Sequence, residues 1–272
     1  MTFKEHFGMT RNAFNKDELE PRDAYESVDY KAIQSGLAYL QDAKGIGVIT
    51  ADSSIGKTYA VHCFIASLNT NRFTPAYIHL TTVSVQEFYK SLSEAVEAEA
   101  KRKGKTELVG AIKNRITQQC LSLRKPYIIF IDEAQYLRQD VLKDIVLLTN
   151  FRYDSRNYFI LVLCGTPELS AKINKPINAP LKERVVYHYN CVGLTDSEIH
   201  DYVVHKLLLS HAPGDLVETS AMNALIGHFD GVGKPRVIDQ IMTSALILAT
   251  QMESRTITTD IMQAAIENLI LE

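Results

Sequence analysis

The sequence has few cysteines, and none of them are paired. Cys63, Cys120, Cys164 and Cys191 stand far apart and form no CxxC pair, so neither a disulfide framework nor a zinc knuckle is indicated, and buried free thiols are expected. Long apolar runs are also missing. No stretch approaches the roughly 18 apolar residues of a membrane span, and the N-terminus lacks the apolar core of a signal peptide. These absences predict a soluble cytoplasmic protein without a membrane partner.

An excess of charge of one sign is missing as well. The chain has 29 Lys and Arg against 32 Asp and Glu, a net charge of -3, so a nucleic-acid partner would have to meet a local basic patch. What the chain does have is length and apolar content. Its 272 residues, 46% of them hydrophobic, can bury a substantial core in one large domain or two smaller ones.

Short apolar runs recur between longer helix-like stretches in the first two thirds of the chain. Five of them, rich in Ile, Val and Tyr, predict buried strands at 45–50, 76–80, 127–131, 158–164 and 185–190. Because helical stretches separate them, we expect an α/β fold, a five-stranded parallel sheet with helices on both faces. Ligands of such sheets bind at the carboxyl ends of the strands.

The last third of the chain has a different pattern. After Val192 the strand signal ends, and helices are predicted at 196–210, 217–229, 235–252 and 259–270. Capping boxes are predicted where a hydroxyl precedes a carboxylate by three residues, at Ser84 with Glu87 and at Thr195 with Glu198. We therefore expect an N-terminal segment at 1–44, an α/β core at 45–192 and an all-helical second domain at 193–272.

The stretch GVITADSSIGKTYA, residues 47–60, ends like a phosphate-binding loop. A predicted strand precedes it and an apolar-periodic helix follows, so backbone N–H groups and the positive end of a helix dipole would converge on one point. Lys57 would reach the outer phosphates and the Thr58 hydroxyl would ligate magnesium. Taken alone, Gly-Lys-Thr also fits an ordinary turn into a helix. The candidate nucleotide-binding residues are Ala51, Asp52, Ser53, Ser54, Ile55, Gly56, Lys57, Thr58 and Tyr59.

A second motif favours the nucleotide interpretation. In KPYIIFIDEAQYL, residues 125–137, an apolar strand ends in Asp132 and Glu133, the order of a Walker B element. Asp132 would hold magnesium through water, and Glu133 would orient and polarise the attacking water. Adjacent acids are common on solvated loops but rarely terminate a fully apolar strand. Together the two motifs predict a site for ATP and Mg²⁺.

The front half of the loop departs from the usual pattern. Ala51 stands where glycine is expected, the smallest possible change, and Ser54 stands where many such loops carry a further glycine. If Ser54 needs a positive φ, strain on the order of 1 kcal/mol or more would weaken nucleotide binding. Asp52 would place a carboxylate near a polyanion unless it points away.

Four segments resemble one family. FGMTRNAF (7–14), the Walker pair, VLCGTPEL (162–169) and GVGKPR (231–236) resemble the ExeA-type AAA+ ATPases and the related transposition ATPases of the MuB, TnsC and IstB kind. The resemblance covers nearly the whole length. It implies the AAA+ P-loop NTPase fold, ATP hydrolysis and a C-terminal lid over the nucleotide. Its motifs are more specific for the AAA+ class than for either branch.

The resemblance also assigns residues around the nucleotide. Thr166, after the fourth strand, falls in the sensor-1 region, with Asn150 as another polar candidate. Phe7, Arg11 and Phe14 would flank the adenine in this family. Plain hydrophobic packing of the two phenylalanines is the alternative explanation.

Arginine roles follow from the same resemblance. Arg236 matches the sensor-2 arginine that reaches the phosphates from the lid, and Arg184 lies where such proteins place an arginine finger for a neighbouring subunit. Arg152 and Arg156 compete with Arg184, which could also be an ordinary surface arginine. A finger acting between subunits requires a ring or helical filament, so an ATP-dependent homo-oligomer is expected.

Two hypotheses address what the ATPase acts on. In the first, it assembles on double-stranded DNA without sequence preference and directs a transposase, with a targeting factor as a further partner. Secretion relatives usually continue into a membrane span, whereas this sequence ends after its lid helices, which favours this hypothesis. In the alternative, it is an ExeA-like secretion-assembly ATPase or a nucleotide-sensing scaffold. Candidate DNA-binding residues, which also fit a solvated helix end, are Thr81, Thr82, Lys101, Arg102, Lys103 and Lys105.

Overall fold

A computed structural model describes residues 2–80, 84–100, 104–149 and 157–270. Its strands form one five-stranded sheet in the order β2-β3-β4-β1-β5, with every neighbouring pair parallel. The strands are β1 (Gly45–Thr50), β2 (Thr74–His79), β3 (Tyr127–Asp132), β4 (Phe159–Gly165) and β5 (Val185–Asn190). The predicted α/β class and the five-stranded parallel sheet are thus confirmed.

The expectation of five equally buried strands is wrong at the sheet edges. β1, β3 and β4 are buried throughout, whereas β2 is partly exposed and β5 alternates between half-buried and exposed residues. Both are edge strands with one neighbour each, so one face of β5 meets solvent, and Val186 is 45% exposed. Strand position therefore governs burial here more than apolar composition does.

Helices connect the strands and make up the last third of the chain. Their bounds are α1 (Phe3–Phe7), α2 (Val28–Ala43), α3 (Lys57–Ser67), α4 (Val85–Ala95), α5 (Lys105–Leu121), α6 (Gln139–Thr149), α7 (Pro167–Ile173), α8 (Ala179–Lys182), α9 (Asp196–Leu209), α10 (Thr219–Gly227), α11 (Pro235–Gln251) and α12 (Thr259–Ile270). Both predicted capping boxes are present, at the starts of α4 and α9. In the described part of the chain, no helix is long and apolar enough to cross a bilayer.

The chain divides into two compact units. The sheet unit comprises Ala32–Asp52 and Lys57–Cys191, and the helical unit comprises Met1–Lys31, Ser53–Gly56 and Val192–Glu272. The N-terminal residues therefore group with the C-terminal helices. The division into three consecutive segments with boundaries at 44/45 and 192/193 stays a prediction.

Each unit has its own hydrophobic core. In the sheet unit, α4, α5 and α6 pack on one sheet face, and α2 lies on β1 and β5, where glycines permit close approach: a Cβ on Gly36 would stand 1.9 Å from the Tyr187 ring and one on Gly47 would stand 2.4 Å from Leu40. In the helical unit, α9 to α12 enclose Phe7 and other N-terminal side chains. None of the four cysteines forms a disulfide, and all but the half-buried Cys120 are buried, as expected.

Candidate functional site

Three chain segments leave the sheet at neighbouring carboxyl ends. β4 lies between β3 and β1, so the loop after β1, the acidic pair after β3 and Thr166 after β4 emerge side by side. The backbone N–H of Ala51 donates to the carbonyl of Gly165 at 3.1 Å and fixes the start of the loop against β4. The parallel sheet therefore brings the two predicted motifs to one edge.

Asp132 is the centre of a buried polar cluster. Lys57 Nζ lies 3.2 Å from its Oδ1, and the hydroxyls of Thr58 and Tyr77 each donate to its Oδ2 at 2.8 Å. The backbone N–H of Glu133 donates to Oδ1 at 2.9 Å. Lys57 and Thr58 stand at the start of α3, so the beginning of that helix is fastened to the end of β3.

The charge of Lys57 and the hydrogen bonds keep this carboxylate ionised. Burial raises the pKa of Asp132, but the charge of Lys57 and the donors Thr58, Tyr77 and Glu133 N–H outweigh burial, so the pKa lies below its ordinary value. For Tyr77, burial and the bond to Asp132 both raise the pKa of the phenol. The tyrosine therefore stays a donor, and Asp132 carries a full negative charge at neutral pH.

The loop has the positive φ at Ser54 that the sequence analysis considered. Ser54 has a φ of +72° and Gly56 a φ of +101°, so a non-glycine residue occupies the left-handed region at Ser54. The further expectation that this strain weakens nucleotide binding stays a prediction. Asp52 and Ser53 are exposed, and Ala51 is buried.

Glu133 follows directly and has a left-handed backbone, with φ +56°. Its side chain is half-buried, and its Oε2 accepts a 2.6 Å hydrogen bond from the amide of Gln135. The Thr166 hydroxyl oxygen is buried and has no hydrogen-bond partner among the described residues. A buried, unpaired donor beside two acidic residues suits a ligand with oxygen acceptors.

Sequence reasoning missed two residues of this site. Tyr77 is placed by strand register: β2 pairs with β3 so that His79 lies opposite Asp132, and Tyr77 is two residues earlier on the same face. Gln135 lies in the short 3-10 helix Ala134–Tyr136 after the acidic pair. A polar residue two positions after the acidic pair was the one available signal for Gln135, and Tyr77 had none.

Arg236 and Arg184, the two arginines with predicted roles at the phosphates, lie in different units of the chain. In the helical unit, the backbone N–H of Arg236 donates to the Ser54 carbonyl at 3.4 Å, and the Arg236 side chain is exposed in the first turn of α11. In the sheet unit, the guanidinium of Arg184 is half-exposed and donates to the Pro180 carbonyl at 2.7 Å. Their sensor-2 and finger roles stay predictions.

The N-terminal aromatic residues lie where packing predicts them. Phe7 and Phe14 are buried in the core of the helical unit, 7% and 4% exposed. Arg11 forms a 2.7 Å ion pair with Asp23 and donates to the Leu209 carbonyl. These contacts match the packing alternative, and the proposed contact with adenine stays a prediction.

Several candidates lie outside the described residues. They are Thr81, Thr82, Lys101, Arg102, Lys103, Asn150, Arg152 and Arg156. Lys105, the last DNA-binding candidate, is described at the start of α5, where it forms a 2.5 Å ion pair with Asp144 and lies over the Tyr89 ring. Half of the Lys105 side chain is exposed, but Asp144 already neutralises its charge.

The donors fit a nucleotide and a divalent cation. A lysine, a threonine hydroxyl and an ionised aspartate meet at the start of a helix, next to a loop and a second carboxylate. Lysine and helix N-termini bind phosphate oxygens, and hydroxyl and carboxylate oxygens suit Mg²⁺. The sheet edge therefore offers the chemistry that ATP with Mg²⁺ requires.

Comparisons with known proteins agree with this geometry. Residues 40–173 match the family model described as an AAA domain. "General secretion pathway protein A" of Aeromonas hydrophila is 27% identical over 249 residues, which cover 91% of this chain and 45% of the relative. The chain thus spans about half the length of the curated relative it matches.

Solved AAA+ structures share the fold. Cdc6p from Pyrobaculum aerophilum matches with a TM-score of 0.73 at 13% identity, over 94% of this chain and 70% of that one. The ORC1 protein of Aeropyrum pernix, solved in complex with DNA, matches with a TM-score of 0.66 at 14% identity, over 94% and 68%. A RuvB variant from Thermotoga maritima matches with 0.57 at 17%, over 90% and 70%. The chain therefore has the AAA+ P-loop NTPase fold, and its residues 40–173 are similar to an AAA domain.

Proposed function

We propose that this chain binds ATP with Mg²⁺ and hydrolyses it. The observation that carries the proposal is the buried cluster of Lys57, Thr58 and Asp132, within the segment that matches an AAA domain. A structural lysine-aspartate pair would explain the burial of the two charges. It would not explain why a threonine hydroxyl, a loop with positive φ values and a second carboxylate lie beside them.

Each residue has a distinct role in this proposal. Lys57 and the loop N–H groups bind phosphate oxygens, while Thr58 and Asp132 hold the cation, Asp132 through water. The cation would neutralise charge on the phosphates. Glu133 accepts the proton of the attacking water, and the buried Thr166 hydroxyl donates to a phosphate oxygen.

The proposal includes assembly of several copies of this chain, because the family resemblance places one of two arginines at a neighbouring copy's phosphates. Arg236 contacts the phosphates of its own chain, and Arg184 contacts those bound by a neighbouring copy, so turnover requires a homo-oligomer. The Arg184 guanidinium is half-exposed and donates to the Pro180 carbonyl at 2.7 Å, and in the assembly a phosphate oxygen would take the place of this neutral acceptor.

Glu133→Gln tests the chemistry directly. Because the amide cannot accept the proton of water, kcat should fall about 100-fold or more, while the affinity for a fluorescent ATP analogue stays within a few-fold. Glu107→Gln, an exposed glutamate of the same unit, is the control and should turn over at the wild-type rate. Equal turnover in Glu133→Gln and the wild type would refute the role of Glu133.

The biological role is proposed to be that of a secretion-assembly ATPase, acting in the cytoplasm. The support is the "General secretion pathway protein A" relative, which aligns with 91% of this chain. That relative favours the secretion alternative over the transposition role that the sequence first suggested. The matching solved structures, one of them in complex with DNA, are under 25% identical to this chain and support the fold alone.

Double-stranded DNA separates the two roles. A secretion ATPase should keep its ATPase rate within about two-fold when DNA is added, and negative-stain images with ATP and DNA should show particles without filaments on the DNA. Stimulation above ten-fold together with DNA-bound filaments would overturn the secretion proposal in favour of transposition. Both measurements use the full chain at low salt, where phosphate contacts are strongest.

A further inference from the structure

We propose that Gln135 is a positioning residue for Glu133, and that it ties the carboxylate of this general base to the end of β4. The inference rests on the proposed ATP hydrolysis and deepens it. Gln135 is 5% exposed, in the 3-10 turn that follows the acidic pair. No motif assigns it a role.

The amide of Gln135 is used at both of its ends. Its Nε2 donates to Glu133 Oε2 at 2.6 Å, and its Oε1 accepts from the backbone N–H of Thr166 at 3.2 Å. A carboxylate accepts and a backbone N–H donates, so just one orientation of the amide satisfies both neighbours. The side chain is therefore a bridge of fixed polarity between Glu133 and Thr166.

Packing leaves this bridge little freedom. A Cβ on Gly165 would stand 2.8 Å from Gln135 Oε1, so the amide lies directly on the β4 backbone. The backbone carbonyl of Gln135 accepts from the ammonium of Lys172 on α7, which also donates to the Leu137 carbonyl at 3.4 Å. Both the backbone and the side chain of Gln135 are thus anchored to the β4–α7 segment.

Glu133 needs such a support. Its backbone is left-handed, with φ +56°, and a glutamate has three rotatable side-chain bonds. The bond from Gln135 holds one carboxylate oxygen and leaves the other without a hydrogen bond from the described residues. A general base works when one oxygen is held near the attacking water, and displacements of about 1 Å can cost 100-fold in rate.

At its other end, the Gln135 amide links Glu133 to Thr166. Gln135 accepts from the N–H of the same residue whose hydroxyl is buried and unpaired, Thr166. The position of Glu133 is therefore set by Thr166, the residue whose hydroxyl is proposed to donate to a phosphate oxygen. Any shift of Thr166 moves Gln135, and through it Glu133.

Two near-isosteric variants test the role of Gln135. Gln135→Met keeps the volume and removes both hydrogen bonds, and Gln135→Glu still accepts from Thr166 but places a second carboxylate against Glu133. We expect kcat to fall about 10-fold to 100-fold in both, with KM and the affinity for a fluorescent ATP analogue within about three-fold of wild type. Gln119→Met is the control: Gln119 is equally buried in the same unit, bonds to Thr74, and should keep kcat unchanged.

A double-mutant cycle excludes a merely structural role. If Gln135 acts through Glu133, adding Gln135→Met to Glu133→Gln should lower the residual single-turnover rate no further. A role in stability alone would lower both backgrounds by the same factor and lower Tm with them. The positioning role is overturned if Gln135→Met or Gln135→Glu keeps the wild-type kcat. It is also overturned if Gln135→Met lowers the single-turnover rate of Glu133→Gln by the same factor as it lowers that of the wild type. Neither result would contradict ATP hydrolysis itself. Absence of turnover in the wild type refutes the proposed function and this inference with it.

Discussion

Each unit of the molecule buries one lysine beside one aspartate, and the two pairs behave in opposite ways. In the sheet unit Lys57 lies 3.2 Å from Asp132, and in the helical unit Lys206 lies 3.4 Å from Asp239. Both lysines are under 10% exposed. The charges and the lysine–aspartate distances are therefore similar, whereas the Asp132 side chain is 2% exposed and the Asp239 side chain 18% exposed, and the set of donors around each carboxylate differs as well.

Asp132 has three donors besides its lysine, and Asp239 has one. Tyr202 donates to Asp239 Oδ1 at 2.9 Å, while Lys206 gives its shortest bond, 2.7 Å, to the Ala13 carbonyl. Burial accordingly dominates at Asp239 and raises its pKa to about 6, against the attraction of Lys206 and the bond from Tyr202. At Asp132 the charge of Lys57 and the three donors together outweigh burial, and its pKa falls below the ordinary value.

The difference separates the proposed ligand site from a structural contact. A carboxylate held ionised by several donors, at the end of a strand and beside a loop, can serve a cation. A carboxylate that burial drives toward its neutral form cannot do so at low cost. The Lys206 pair instead fastens the N-terminal segment, through Ala13, to α9 and α11.

Matched lysine substitutions test this separation with the largest expected effect. Lys57→Met should weaken ATP binding about 100-fold or more, because a charged donor to phosphate is lost, and should also lower Tm, because the buried Asp132 carboxylate loses its counter-charge. Lys206→Met should leave the ATP affinity within a few-fold and lower Tm, because the Ala13 carbonyl loses its donor. Fluorescent ATP titration and thermal melts measure both. Equal losses of affinity in the two variants would break the comparison.

The pH dependence of stability should have opposite signs at the two aspartates. The folded pKa of Asp239 is raised, so its contribution to stability is fully present below the unfolded value and is lost as pH rises through about 6. Asp239→Asn should therefore match the wild type at pH 4 and exceed it at pH 7, by roughly 2–3 kcal/mol.

Asp132→Asn should do the reverse. The folded pKa of Asp132 is lowered, so its contribution is present above the unfolded pKa and is lost as pH falls through the folded value. The variant should be less stable than the wild type at pH 7, and the gap should close as pH falls below about 4. Thermal melts in nucleotide-free buffer from pH 3.5 to 8 measure both series. Parallel curves for the two variants would show that the donor count does not set the sign.

Sequence predicted the parts of this comparison that are local in the chain. The apolar runs gave the strands and the parallel sheet, and motif spacing gave Lys57, Thr58 and Asp132, because a strand, a loop and a helix in succession fix their neighbours. Tyr77 depends on the register between β2 and β3, which is set by the packing of the whole sheet. The hydrogen bond from Arg11 to the Leu209 carbonyl joins residues 198 positions apart and left no local signal.

Removing the tyrosine hydroxyl that donates to each aspartate should have the smallest effect on stability. It also compares the two carboxylates most directly. Tyr77→Phe removes a donor to Asp132 Oδ2, but Thr58 still donates to that oxygen, so we expect a loss of about 1 kcal/mol or less. Tyr202→Phe removes the sole donor to Asp239 Oδ1 among the described residues, so a loss of about 2 kcal/mol is expected.

Both tyrosine variants keep their rings, and with them the contacts of Tyr77 with His62 and of Tyr202 with the Lys206 ammonium. Measured at pH 8, where both carboxylates are ionised, the difference in stability reports the hydrogen bonds alone. At pH 4.5 the cost of Tyr202→Phe should shrink, because Asp239 then takes up a proton and no longer buries a charge, whereas the cost of Tyr77→Phe should not change. If Tyr77→Phe is the more costly at pH 8, the number of donors is not what keeps Asp132 ionised, and its low pKa comes from Lys57 alone.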